Sequence, residues 1–202
     1  MKKKNKKSVN LDVLLFNIFL CIVLLAFVII VIAYLVFSTG KSKNKLWDVH
    51  FSRIINSECS YGTVCTTPTI YTDSTTTGDY TVEFSSPGEK AYYEIDVVND
   101  GMLDAEITSI TFGSIKCKGN SDNYLNAFDD ANKVCGNLIY NLYTEDGNKV
   151  LPGTVLKAHK KATYYLKLDY VSNIYIKAED DSLSDTVSVS NLNLTINYNQ
   201  VK

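Results

Sequence analysis

Cys59, Cys65, Cys117 and Cys135 are the side chains of this 202-residue chain whose type and spacing speak first to chemistry. Thiols can oxidise to disulfides, stay free, or hold zinc as thiolates. Four cysteines allow three pairings. Proximity favours Cys59–Cys65, which closes the SYGTV loop, and Cys117–Cys135, which closes the polar excursion KGNSDNYLNAFDDANKV. Structural zinc sites set close pairs roughly two to four residues apart. The gaps here are five and 17 residues and no histidine lies near, so the spacing favours disulfides over free thiols and over zinc. Disulfides require an oxidising compartment. A fifth cysteine, Cys21, follows the bulky Leu20 where a lipoprotein acceptor needs a small residue, and it reads as an apolar passenger.

Oxygen ligands come next. Asp122, Asp129 and Asp130 lie in the cysteine-bounded excursion with Asn120, Asn123 and Asn126 interleaved, and Glu179, Asp180, Asp181 and Asp185 form a second cluster. Calcium takes roughly six to eight oxygens, so Asp122, Asp129 and Asp130 are the calcium candidates, although neither cluster has EF-hand spacing. Solvated acidic loops are the commoner outcome, and no cofactor is expected otherwise. Catalytic chemistry has little to build on. The two histidines are His50, on the outward phase of a strand, and His159, in the lysine-rich turn KAHKKA. No Gly-x-Ser-x-Gly elbow, His-Glu-x-x-His motif or phosphate loop occurs. An enzyme is therefore not expected. Leu151-Pro152-Gly153-Thr154 lacks the glycine and apolar tail of a sorting signal and reads as a turn; Asn193-Leu194-Thr195 is a glycosylation sequon within the last strand. The adjacent pairs Tyr92–Tyr93 and Tyr164–Tyr165 each place one ring inward and one outward on a strand. Outward tyrosines suit protein or carbohydrate contacts, though tyrosine is also a strong strand former.

Three unlike segments position these residues. Residues 1–12 carry five lysines against one aspartate, a basic tail. Residues 13–37 are uncharged, with Asn17 the one strongly polar side chain. As a helix that run is about 37 Å long, more than the roughly 30 Å of a bilayer's hydrocarbon. It is too long for the apolar core of a cleaved signal peptide. Five lysines before it and three after it, at 41, 43 and 45, favour a cytoplasmic N-terminus. Residues 38–45 form a polar tether, and residues 46–202 hold 12 basic against 21 acidic side chains, a net of −9. That charge disfavours nucleic acid, which is bound through its phosphates.

From Leu46 onward the pattern alternates as strands do. Trp47, Val49 and Phe51 share one face, as do Tyr80, Val82 and Phe84; Ala91, Tyr93, Ile95 and Val97; Leu138, Tyr140 and Leu142; Ala162, Tyr164, Leu166 and Leu168; and Leu192, Leu194, Ile196 and Tyr198. A phase shift in AEITSITF predicts a bulge near Ser109. Asp146-Gly147 predicts a hairpin turn, and Pro87-Gly88, Asn99-Asp100-Gly101 and Pro152-Gly153 predict further turns. Only about 123–133 is expected to be helical. TTPTIYTDSTTTGDY (66–80) reads as a loop or an edge strand. Seven to nine strands with one apolar face each predict an all-β fold, an immunoglobulin-like sandwich or else a jelly roll.

GEKAYYEIDVVNDGMLDAEITSITF, at 88–112, resembles the strand–Asn-Asp-Gly–strand unit of bacterial cell-surface sandwich domains. With the preceding apolar segment it is similar to the TasA/camelysin group of low-GC Gram-positive bacteria. The resemblance implies a surface-exposed sandwich; the uncleaved anchor and the four outer cysteines depart from that group. The expected function is a single-pass, membrane-anchored interaction or structural protein. Its partners would be the membrane through residues 13–37 and an envelope or extracellular protein or glycan. The alternatives are an accessory subunit of a secretion, pilus or transport machine and, third, an enzyme on envelope polymers. No sustained stripe of small residues marks a packing face on the helix, which favours a plain anchor.

Overall fold

A computed structural model describes residues 11–39, 45–171 and 182–201. Helix α1, Leu11–Thr39, extends the expected apolar run by two residues at each end. It is long and apolar enough to cross a membrane. The side chains from Leu15 to Ile32 are exposed all round. Two residues assigned to the tether, Ser38 and Thr39, continue the helix, while Lys45 belongs to the domain that follows.

That domain contains eleven strands among its described residues: β1 (Val49–Cys59), β2 (Val64–Cys65), β3 (Tyr80–Phe84), β4 (Lys90–Asn99), β5 (Ala105–Phe112), β6 (Lys116–Gly119), β7 (Leu138–Thr144), β8 (Val155–Leu156), β9 (Lys160–Tyr170), β10 (Val187–Leu192) and β11 (Leu194–Gln200). Helix α2, Tyr124–Gly136, lies between β6 and β7. The count exceeds the expected seven to nine because β2, β6 and β8 are only two to four residues long. Such stretches cannot display an alternation by themselves.

The strands form three antiparallel sheets, ordered β1-β4-β9-β7, β2-β3-β10-β6 and β11-β5-β8. Alternation puts the expected residues inside. Ala91, Tyr93, Ile95 and Val97 of β4 are inaccessible, as are Leu166 and Leu168 of β9. Rings of the first sheet meet rings of the other two. Tyr93 packs against Tyr80 with centroids 5.0 Å apart, Tyr170 against Phe84 at 5.9 Å, and Tyr140 against Phe112 at 4.7 Å. Three of these rings have partnered hydroxyls: Tyr80 donates to the Tyr140 oxygen (2.8 Å), Tyr140 to the Asn193 carbonyl (3.2 Å), and Tyr93 to the Thr66 carbonyl (3.0 Å). Burial pushes all three phenol pKa values up, which keeps them protonated donors.

The run expected as one strand from Leu192 to Tyr198 is two. Asn191 takes a left-handed φ of 57°, and the chain leaves the second sheet for the third at Asn193. Leu192, Leu194 and Ile196 stay buried across the bend, so the alternation continues while the pairing partner changes. The bulge expected near Ser109 falls at Thr108, the residue skipped between the pairs Ile107–Tyr198 and Ser109–Asn197. Asn99-Asp100-Gly101 does not join neighbours: β4 and β5 lie in different sheets. Buried Asn99 holds this crossover, donating to the Leu103 and Leu156 carbonyls and accepting from the Gly101 amide. The threonine-rich stretch is anchored through Thr77, whose amide donates to the Leu194 carbonyl and whose hydroxyl accepts from the Leu194 amide.

Helix α2 begins where Asn123, extended at φ −82°, caps it; its Oδ1 accepts from the Leu125 and Asn126 amides. The helix reaches three residues beyond the expected Lys133. Gly119 explains its close seat on β6, because a Cβ there would lie 2.6 Å from the Ala127 Cα.

Candidate interaction face

The residues that alternation turns outward on the first sheet form one continuous face. Across β4, β9 and β7 the register aligns Tyr92 with Lys167 and Asn141, and Glu94 with Tyr165 and Tyr143. Tyr92 and Tyr165 are half-buried on this face while Tyr93 and Tyr164 are buried in the core, as the adjacent pairs predict. The Lys167 ammonium lies 4.9 Å from the Tyr92 ring centroid and 5.3 Å from that of Tyr143, and Lys90 approaches Tyr92 at 5.2 Å. Tyr92 donates to Asp169 at 2.6 Å. Partial burial and that carboxylate together raise the Tyr92 pKa, so the ring stays a neutral donor.

One edge of the face is an ion network. Arg53 pairs with Glu94 and, through Nε, with Asp96 at 2.8 Å. Lys161 reaches the same Asp96 oxygen at 3.1 Å, and the Thr163 hydroxyl donates to the other at 2.8 Å. Burial by itself would raise the Asp96 carboxyl; the bonds from Thr163, Lys161 and Arg53 outweigh it and hold the pKa below the usual range. Arg53, Lys90, Lys161 and Lys167 are matched by Glu58, Glu94, Asp96 and Asp169. The face is thus charge-balanced and rich in tyrosine, the composition of a protein contact more than of a polyanion site. Lysine tips already occupy approaches to the Tyr92 ring, which sugar stacking would need.

The cysteines are paired Cys59–Cys65, joining β1 to β2, and Cys117–Cys135, joining β6 to α2. Cys21 is free on α1. The calcium candidates do not converge. Asp122 and Asp129 are exposed, whereas Asp130 is buried and accepts from the Ser184 and Asp185 amides, tying α2 to the chain before β10. Glu179, Asp180 and Asp181 lie outside the described residues; Asp185 accepts from the Thr186 amide. The sequence reading missed a different cluster. Asp48, His50 and Asp73 bring ligand atoms within 4.8 Å of one another. Asp73 arrives from a loop fastened by the Phe51 amide to the Ser74 carbonyl, a juxtaposition with no signal in sequence spacing. An imidazole and two carboxylates suit a divalent transition metal, but the Lys45 ammonium, 3.0 Å from Asp48, supplies the positive charge there. Its hydrogen bond to Asp48 and the charges of Asp48, Asp73 and Asp100 raise the Lys45 pKa.

His159 sits exposed at φ 55° in its turn. Leu151-Pro152-Gly153-Thr154 is a turn, closed by the Thr154 amide to the Leu151 carbonyl. The Asn193 side-chain amide donates to Asp79 at 2.7 Å, so the sequon nitrogen is engaged. Set against family models, curated proteins and solved structures, the chain matches none.

Proposed function

We propose that the chain is a non-enzymatic, single-pass cell-surface protein. Helix α1 would anchor it with the N-terminus cytoplasmic, and the β domain, an immunoglobulin-like or jelly-roll sandwich, would contact another envelope protein. The tyrosine-rich, charge-balanced face over β4, β9 and β7 carries this reading. Lys90, Lys167 and Asp169 preorder the Tyr92 ring and Lys167 that of Tyr143, so little freedom of these side chains would be lost on contact. Two further observations support the placement. Lysines are more numerous before the apolar helix than after it, and two disulfides suit an oxidising compartment. The TasA/camelysin resemblance agrees with a surface sandwich.

A photo-crosslinking amino acid at Tyr165 tests the face in cells that carry the full chain. The expected result is a discrete protein adduct from Tyr165 and from Tyr143, and none from exposed Thr108 on the third sheet. Equal labelling from all three positions would remove the case for this face.

A further inference from the structure

We propose that the end of the β domain where the chain arrives from α1 is a membrane-seating surface, with Leu46, Trp47 and Met102 resting at the headgroup–acyl boundary of a lipid bilayer. Leu46 is 65% exposed and Met102 50% exposed. They come from separate segments held together: the Met102 amide donates to the Lys45 carbonyl (3.3 Å) and the Asp100 amide to the Asp48 carbonyl (2.8 Å). Gly101 permits this approach, since a Cβ there would lie 2.9 Å from the Asp48 nitrogen. Trp47 is half-buried in a shallow recess beside Tyr198. A tryptophan with exposed Leu and Met neighbours is the composition that partitions to bilayer interfaces.

The charges at this end fit the same occupant. Lys160 aligns with Asn99, which aligns with Val49, so the exposed 157–161 turn shares the end with Lys45. Lys45 pairs with Asp48 and Lys157 with Asp104, and Lys160 stands against Asp73 and Asp100, so this end is nearer neutral than the 46–202 stretch as a whole, which is at −9. The exposed Lys160 has a stem long enough to extend past an apolar patch to headgroups. Helix α2 and the Cys59–Cys65 loop lie at the other end of the strands, because Leu138 aligns with Tyr170 and Cys59 with Ala91. Connectivity chooses a bilayer over a soluble partner. Five residues separate Thr39 from Lys45, a reach of at most about 22 Å. An anchored α1 therefore keeps this end at high effective concentration near lipid, where a weak apolar contact suffices.

The inference rests on α1 as the membrane span, and one experiment separates the two. Trp47 is the only tryptophan in the chain. The full chain in phosphatidylcholine vesicles is titrated with lipids carrying a nitroxide near the headgroup or deep in the acyl chain. Emission should fall about twofold or more with the shallow label and less with the deep one, as for an interfacial ring. The Leu46→Asp/Met102→Asp variant, verified as folded by circular dichroism, should lose that quenching. Protein that resists alkaline extraction but shows a Trp47 open to iodide and unquenched by lipid overturns the seating alone. Protein extracted by alkali overturns the span and the seating together. Shielding that depends on protein concentration and not on lipid would assign the patch to contacts between copies and overturn the proposal.

Discussion

Replacing Cys117 and Cys135 together by serine should cost more stability than the same change at Cys59 and Cys65. The two bonds close segments of sequence separation 18 and six. On the chain-entropy relation these contribute about 3 and about 2 kcal/mol respectively. Local packing widens the gap. Of α2's side chains only Asp130 and Val134 are buried, so apolar burial alone holds the helix weakly. Its other ties include the disulfide, the close seat on Gly119, the bonds to Asp130 and the Lys133 ammonium donating to the Ser182 carbonyl. The Cys59–Cys65 bond instead staples the end of an 11-residue strand that β4 pairs along most of its length. Urea unfolding of the full chain in detergent, followed by circular dichroism, reads the difference. With slopes of about 1–3 kcal/mol per molar, the Cys117/Cys135 variant should lose roughly 1–3 M from its midpoint, and the Cys59/Cys65 variant less. Equal losses, or a larger loss at Cys59/Cys65, would refute the reasoning.

Other perturbations probe the face and the core. Asp96→Asn leaves Arg53 and Lys161 without their shared carboxylate and should cost about 1–3 kcal/mol at pH 7. Because the folded pKa of Asp96 lies below its ordinary 3.8, its contribution is fully present above that value and is lost as the pH falls through the folded pKa. The gap between wild type and variant should therefore close only in acid, as urea midpoints across pH will show. Gly119→Ala forces a Cβ against the backbone of Ala127, and overpacking of this kind costs about 1–3 kcal/mol. Thermal melts should show that loss, whereas Gly136→Ala, where a Cβ would meet nothing, should not.

Most of the core was legible in the sequence because burial obeys the two-residue period. Tyr80, Val82, Phe84, the inward residues of β4, and Tyr164, Leu166 and Leu168 of β9 are inside, with Ala162 partly buried. The existence of α2 was legible too, but not its cap: Asn123, read as the first helical residue, stays extended and caps a helix that starts at Tyr124. What was hidden depends on distant partners. The bend at Asn191–Asn193 keeps the alternation intact, so nothing local reveals that the chain changes sheet. Asp130 has the same carboxylate as Asp122 and Asp129, and only the fold brings it under the Ser184 and Asp185 amides. The tyrosine face was half visible. Paired tyrosines predicted which rings turn outward, but the placement of Lys167 between Tyr92 and Tyr143 needs the register of three strands. The Leu46–Met102 patch joins segments more than 50 residues apart through one glycine.

The central claim is an anchored chain with its β domain outside the cytoplasm. Trypsin added to intact cells carrying the full-length protein tests it most directly, with a cytosolic protein as the control for leakage. The account predicts loss of the domain with a membrane-held fragment containing α1 left behind while the control stays whole. A domain untouched until the cells are lysed would contradict it.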